Sequence, residues 1–200
     1  IGACLLFALS YSRIGVIRRH LTRYEFSSNV ERSPEQTRLL HEEGKRVHVF
    51  WLSGFIFFGS SNGLFERIKR VIEGQDEKPV GYIVLDFSAV QGLDTSAVLS
   101  LVKLRNYCEE KDVTLVFSGL SDAMDAAFNG AGFFGADRPH QVFGTRNEAI
   151  EWCEDMLLLY HEVGDASTRS FESWLHHEFD GLISFDRIAQ FMERQELETG

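Results

Sequence analysis

The sequence predicts an α/β fold, a mostly parallel sheet flanked by helices. Three observations carry that expectation. Short apolar stretches of strand length alternate with longer stretches of helical periodicity from about residue 45 to 158, the signature of βαβ units with crossover helices. The run "YIVLDF" is apolar without alternation, as a strand covered on both faces must be. Polar residues of helix-capping type stand where strands hand over to helices, as in "LDTSAV" and "GLSDAM".

Taken in order, "VHVFWL" and "FIFF" read as two strands separated by Ser53-Gly54, a two-residue hairpin signal. In "SSNGLFERIKRVIE", Leu64, Phe65, Ile68, Val71 and Ile72 share one face, opposite Glu66, Arg67, Lys69 and Arg70. Pro79 and Gly81 bound the buried strand "YIVLDF", and a short glycine-containing loop follows it. After Asp94, residues Ala97, Leu101, Leu104 and Cys108 recur at helical spacing. "TLVFSG" gives another strand, Ser121 caps a helix over "DAMDAAFNGAG", and "HQVFGT" and "RNEAIEWCEDMLL" supply the last strand and helix. The expected order is β-β-α-β-α-β-α.

Composition bounds the rest. The chain has 200 residues, 44% hydrophobic and 25% charged, which suits one globular domain with flanking segments. A net charge of −10 argues against a nucleic-acid partner, since phosphate backbones are held by basic surfaces. Cys4, Cys108 and Cys153 form no CxxC pair and read as reduced thiols of a cytosolic setting.

The charge is unevenly spread, and its shifts mark three parts: 1–24, 45–158 and 159–200. Residues 1–24 hold Arg13, Arg18, Arg19 and Arg23 and no acid. Their first nine residues are apolar or glycine, too few to span a bilayer, which takes about 20. They read either as the last turns of a spanning helix followed by a basic cytoplasmic linker or as a short buried or surface helix. Residues 161–200 carry nine acids against three arginines. In this tail Phe171, Trp174, Leu175 and Phe179 form one helical stripe and Ile183, Ile188 and Phe191 another.

The residues that invite a functional reading lie at the end of "YIVLDF" and just after it. Asp94 suits an N-cap that accepts a hydrogen bond from the amide of Ser96 or Ala97. Its charge is favoured there by the helix dipole, by about 0.3–1 kcal/mol. Thr95 and Ser96 then fill the first turn. Catalysis is not expected. No histidine stands close in sequence to Ser96 to serve as a base. His161, Glu172, His176 and His177 have no recognised metal-ligand spacing. "GSSNG" lacks the lysine of a phosphate-binding loop. No metal or cofactor is expected.

"VLDFSAVQGLDTSAVLSLVKL" resembles the signature of STAS domains: a strand, Asp-x-Ser, a loop with a hydrophobic-Asp pair, then Ser/Thr-Ser opening a helix. "VHVFWLSGFIFFGSSNGLFERI" is similar to the start of that domain in SulP-type, sulfate permease-like anion transporters. The resemblance covers residues 45–158. It implies an anti-sigma factor antagonist-like fold, with an N-terminal transmembrane-helix remnant and a C-terminal helical tail around it. Asp86 and Ser88 match the Asp-x-Ser, Asp94 the loop acid, and Ser96 the serine that anti-anti-sigma proteins phosphorylate, with Thr95 beside it. These five are the expected regulatory, partner-docking residues, and the Asp94–Ser96 edge among them is expected to be solvent-accessible. One departure is Ala97, where the regulators commonly carry glycine.

The implied function is that of a regulatory and assembly domain of a transporter for sulfate, bicarbonate or a similar anion, at the cytoplasmic face of the cell membrane. Its implied partners are the transmembrane domain of the same protein, a second copy in a homodimer, and a protein regulator. The alternative is a soluble anti-sigma factor antagonist switched at Ser96. "FDRIAQFMERQELETG" in the tail also resembles the lead-in of cyclic-nucleotide-binding domains, which implies such a domain beyond Gly200.

Overall fold

The computed structural model describes residues 15–74, 78–133 and 141–164. The chain divides into two compact units, residues 1–157 and 158–200, and the described part of the second is the end of the last helix. The elements are β1 (Ile17–Thr22), α1 (Pro34–Glu43), β2 (Val47–Ile56), α2 (Phe58–Ile72), β3 (Tyr82–Leu93), α3 (Thr95–Glu110), β4 (Thr114–Ser118), α4 (Asp122–Gly130), β5 (Gln141–Phe143) and α5 (Arg146–Gly164). The five strands lie in the order β1-β2-β3-β4-β5. β1 runs antiparallel to β2, and all other pairs are parallel. The expected α/β class, a mostly parallel sheet with flanking helices, is the fold observed.

Alternation along the strands divides the side chains between the two faces of the sheet. Phe50, Leu52, Ile83, Leu85, Phe87, Leu115 and Phe117 meet Leu64 and Ile68 of α2, Leu101 and Leu104 of α3, and Phe128 of α4 in one apolar core. The periodic residues of "GLFERIKRVIE" and of the helix after Asp94 thus do what their spacing predicts. The alternate strand positions, Val84, Asp86, Val116 and Ser118, project from the other face, where Arg146 of α5 reaches Asp86. Cys108 and Cys153 are free thiols, both buried.

Three sequence expectations are corrected. The hairpin at Ser53-Gly54 does not form: 47–56 is one strand, and both of its halves pair with β3 in parallel. The tolerance of Gly54 for positive φ, here 80°, serves an irregular stretch inside a strand. The loop placed after "YIVLDF" is likewise strand, because β3 continues to Leu93 and absorbs its surplus length at two register shifts against β2. Residues 17–22, read as part of a basic linker, form edge strand β1. Residues 1–14 and 165–200 lie outside the described residues, with the spanning-helix end, the tail stripes and the cyclic-nucleotide lead-in assigned to them. No helix among the described residues is long and apolar enough to cross a membrane.

Helix α1 escaped the sequence reading. It is polar, and only Leu40 and Glu43 are buried on it. Its signal is the capping box Ser33-Pro34-Glu35-Gln36: Ser33 Oγ accepts from Gln36 N–H at 3.2 Å, and Gln36 Oε1 accepts from Ser33 N–H at 3.2 Å. The segment before α1 is tied down by Glu154 of α5, whose side chain is buried. Its carboxylate accepts from Arg23 Nε at 2.9 Å, from Ser28 N–H at 3.1 Å and from Ser28 Oγ at 2.5 Å.

Candidate functional site

The structure separates the five expected residues into two groups. The first is centred on Asp86 in the middle of β3, at 0% exposure. Its Oδ1 accepts from Ser88 N–H at 3.2 Å and from Ser118 Oγ at 3.2 Å. Its Oδ2 accepts from Ser88 Oγ at 3.1 Å and from Arg146 Nη1 at 3.0 Å. Four donors use the acceptor capacity of the carboxylate, so Asp86 has no lone pair left for a substrate proton or a metal. Asp86 is thus an interior residue, unlike the exposed Thr95 and Ser96. A buried carboxylate must be paired and hydrogen-bonded, and this one joins β3, β4 and the first turn of α5.

The surroundings hold this arrangement closed. The Arg146 guanidinium lies 3.7 Å from the centre of the Trp51 ring and 5.3 Å from that of Phe26. Trp51 is the β2 residue opposite Asp86. Gly119, directly after Ser118, has φ +66°, and a Cβ on it would stand 2.9 Å from Ser88 N. Glycine is required there on both counts, because the chain behind Ser118 must pass close to Ser88. Thr145 caps α5, its Oγ1 accepting from Glu148 N–H at 3.3 Å while Glu148 Oε2 accepts from Thr145 N–H at 3.0 Å. Sequence reasoning missed Ser118, Trp51 and Arg146.

The second group is the start of α3. Asp94 is its N-cap, and its Oδ1 accepts from Ala97 N–H at 2.7 Å, as the sequence predicts. Asp94 N–H donates to Ile56 O at 3.1 Å, which sets the start of α3 beside the end of β2. Thr95 and Ser96 are exposed, and Ala97 behind them is buried. Around this edge stand three exposed apolar side chains: Phe55 at 46%, Phe58 at 64% and Leu99 at 56%. Leu99 is three residues beyond Ser96 and so shares its face of the helix. Phe55 sits opposite Gly92 in the β2–β3 register, and its ring closes over that glycine.

The chemistry available is narrow. No group of three or more metal-ligating side chains occurs among the described residues. Burial raises the Cys108 thiol to about 12 and also pushes the Cys153 thiol up, so neither is a ready nucleophile. The start of α3 thus presents polar and apolar side chains together at the surface.

Residues 39–149 match the model of the STAS domain. The chain belongs to the STAS domain family. Among its relatives is the yeast Saccharomyces cerevisiae vacuolar basic amino acid transporter VSB1, 26% identical over 168 residues, 80% of this chain and 16% of the relative. Another is sulfate transporter 3.1 of Arabidopsis thaliana, 30% identical over 110 residues, 51% of this chain and 17% of the relative. The chain thus spans about a sixth of the length of these curated relatives. Its fold is also that of part of the murine Slc26a9 anion transporter, with a TM-score of 0.53 at 15% identity, over 76% of this chain and 24% of that one.

Proposed function

We propose that this chain is the cytoplasmic regulatory and assembly region of a SulP-type secondary transporter of sulfate, bicarbonate or a similar anion. The observation that carries the reading is the exposed edge formed by Thr95, Ser96, Leu99, Phe55 and Phe58. It offers a surface for a partner and no reacting group. The relatives support the transporter assignment, since those compared above are named as transporters and are about six times as long as the matched segment. In this reading the edge docks on the transmembrane domain of the same protein, on a second copy in a homodimer, or on a protein regulator. In the same reading residues 1–24 join the domain to the membrane part, and residues 159–200 lead towards a cyclic-nucleotide-binding domain. The buried Ala97 in place of glycine favours docking over a phosphorylation switch at Ser96.

Phe58→Asp combined with Leu99→Asp tests this in the full-length parent protein reconstituted in vesicles. Both side chains are exposed, so the domain stays folded, and initial uptake of labelled sulfate or bicarbonate falls severalfold. Wild-type protein that carries basic amino acids and neither anion would refute the anion assignment. Unaltered uptake by the double variant would refute the docking edge.

A further inference from the structure

Trp51 gathers three guanidinium groups. Arg146 lies 3.7 Å from the ring centre, Arg19 5.8 Å and Arg18 6.0 Å. Arg18 and Arg19 are consecutive on β1 and would ordinarily project to opposite faces of the sheet. The register irregularity between Ile17 and Arg19 re-aims them, so that both approach the same indole.

The three cations are not equally satisfied. Arg146 is paired with Asp86. Arg18 and Arg19 are exposed and make no ion pair among the described residues. Two unpaired like charges beside a third repel one another, and an anion placed among them removes that repulsion. The first turn of the 19-residue helix α5, which holds Arg146, adds the positive end of its dipole. The chain as a whole is strongly acidic, with a net charge of −10, so an anion is repelled by most of the molecule and drawn to this place. Guanidinium forks match the oxygens of phosphate in pairs, and the indole face holds them in place.

We propose that Arg18 and Arg19 on Trp51, backed by Arg146, form a binding site for a phosphate group, either free or carried by a lipid headgroup. The site shares no residue with the Thr95–Ser96 edge and does not depend on the transporter reading.

The test uses the 200-residue chain and the variant Arg18→Gln/Arg19→Gln, with Arg38→Gln/Lys103→Gln as a control of equal charge change at exposed helical positions. Binding is measured to inorganic phosphate by calorimetry and to phosphatidylglycerol against phosphatidylcholine vesicles by co-sedimentation. Thermal unfolding checks that each variant is folded. The wild type binds in at least one arm, the Arg18/Arg19 variant binds there roughly tenfold or more weakly, and the control keeps its affinity. Binding in the phosphate arm identifies a free ligand, and a phosphatidylglycerol preference alone identifies a headgroup. The inference is overturned if the wild type binds in neither arm, if the Arg18/Arg19 variant binds as tightly as wild type, or if the control loses as much.

Discussion

Asp86 shows how one residue can carry a motif and yet have a role other than the one the motif suggests. Its carboxylate is fully buried and takes four donors from three elements. Removing it leaves Arg146 beside Trp51 with its ion partner gone. We predict that Asp86→Ala destabilises the domain by about 2–4 kcal/mol, read as a shift of the urea midpoint. That is towards the lower part of the cost of breaking a buried pair, since Arg146 keeps about a quarter of its side chain in water. A change under about 0.5 kcal/mol would show that the network is not structural. The sequence displays Asp86 and Ser88 two residues apart, and the motif marks both, but it does not show that they bond to each other. Ser118 and Arg146 stand 32 and 60 residues further on, and no local spacing betrays a contact made only when β4 and α5 are in place. Asp94 was legible in full, because a cap is satisfied within its own turn.

At the scale of elements, the strands and helices of the parallel core follow from periodicity, whereas the edges do not. β1 is short, arginine-bearing and only partly buried, so it lacks the apolar run that marks an interior strand. β2 looked like a hairpin because Gly54 carries a turn signal, but the choice between turn and strand was made by pairing with β3. The close passage at Gly119 gives an element-level prediction. Gly119→Ala forces a non-glycine residue to φ +66° and a methyl group to within 3.0 Å of Ser88, and costs about 2–4 kcal/mol in chemical unfolding. Wild-type stability in that variant would mean that β4 and β3 do not approach as described.

The β1–β2 pairing also carries a proton dependence. His20 Nε2 and His48 Nδ1 are hydrogen-bonded at 3.0 Å, and the His20 ring stacks on Phe50 at 4.2 Å. Burial lowers the His20 pKa, and Arg67 on α2 lowers it further, against an opposing pull from Glu25. The unfolded chain therefore binds the proton more readily than the folded one. His20 contributes stability above its ordinary value of 6.5, and that contribution is lost as the pH falls through the lower folded value. The melting temperature should drop between about pH 7.5 and about pH 5.5, and His20→Phe should flatten that drop. An unchanged slope in the variant would remove His20 from the account.

For the whole molecule, the proposal is that the start of α3 is a docking edge at which no reaction occurs. The domain's central carboxylates at Asp86 and Glu154 are occupied by internal donors, and Thr95, Ser96, Leu99, Phe55 and Phe58 are exposed around the start of α3. Ser96→Glu tests this most directly. The substitution adds a charge to an exposed first-turn position, where an acid suits the helix dipole and is opposed only by nearby Asp94. The isolated chain should keep its melting temperature to within about 2–4 °C, the shift that 1 kcal/mol produces in a domain of this size. The full-length parent carrying Ser96→Glu should take up its anion severalfold more slowly in vesicles than wild type. Wild-type uptake together with an unchanged melting temperature would contradict the docking edge and leave Ser96 with no role beyond the first turn of α3.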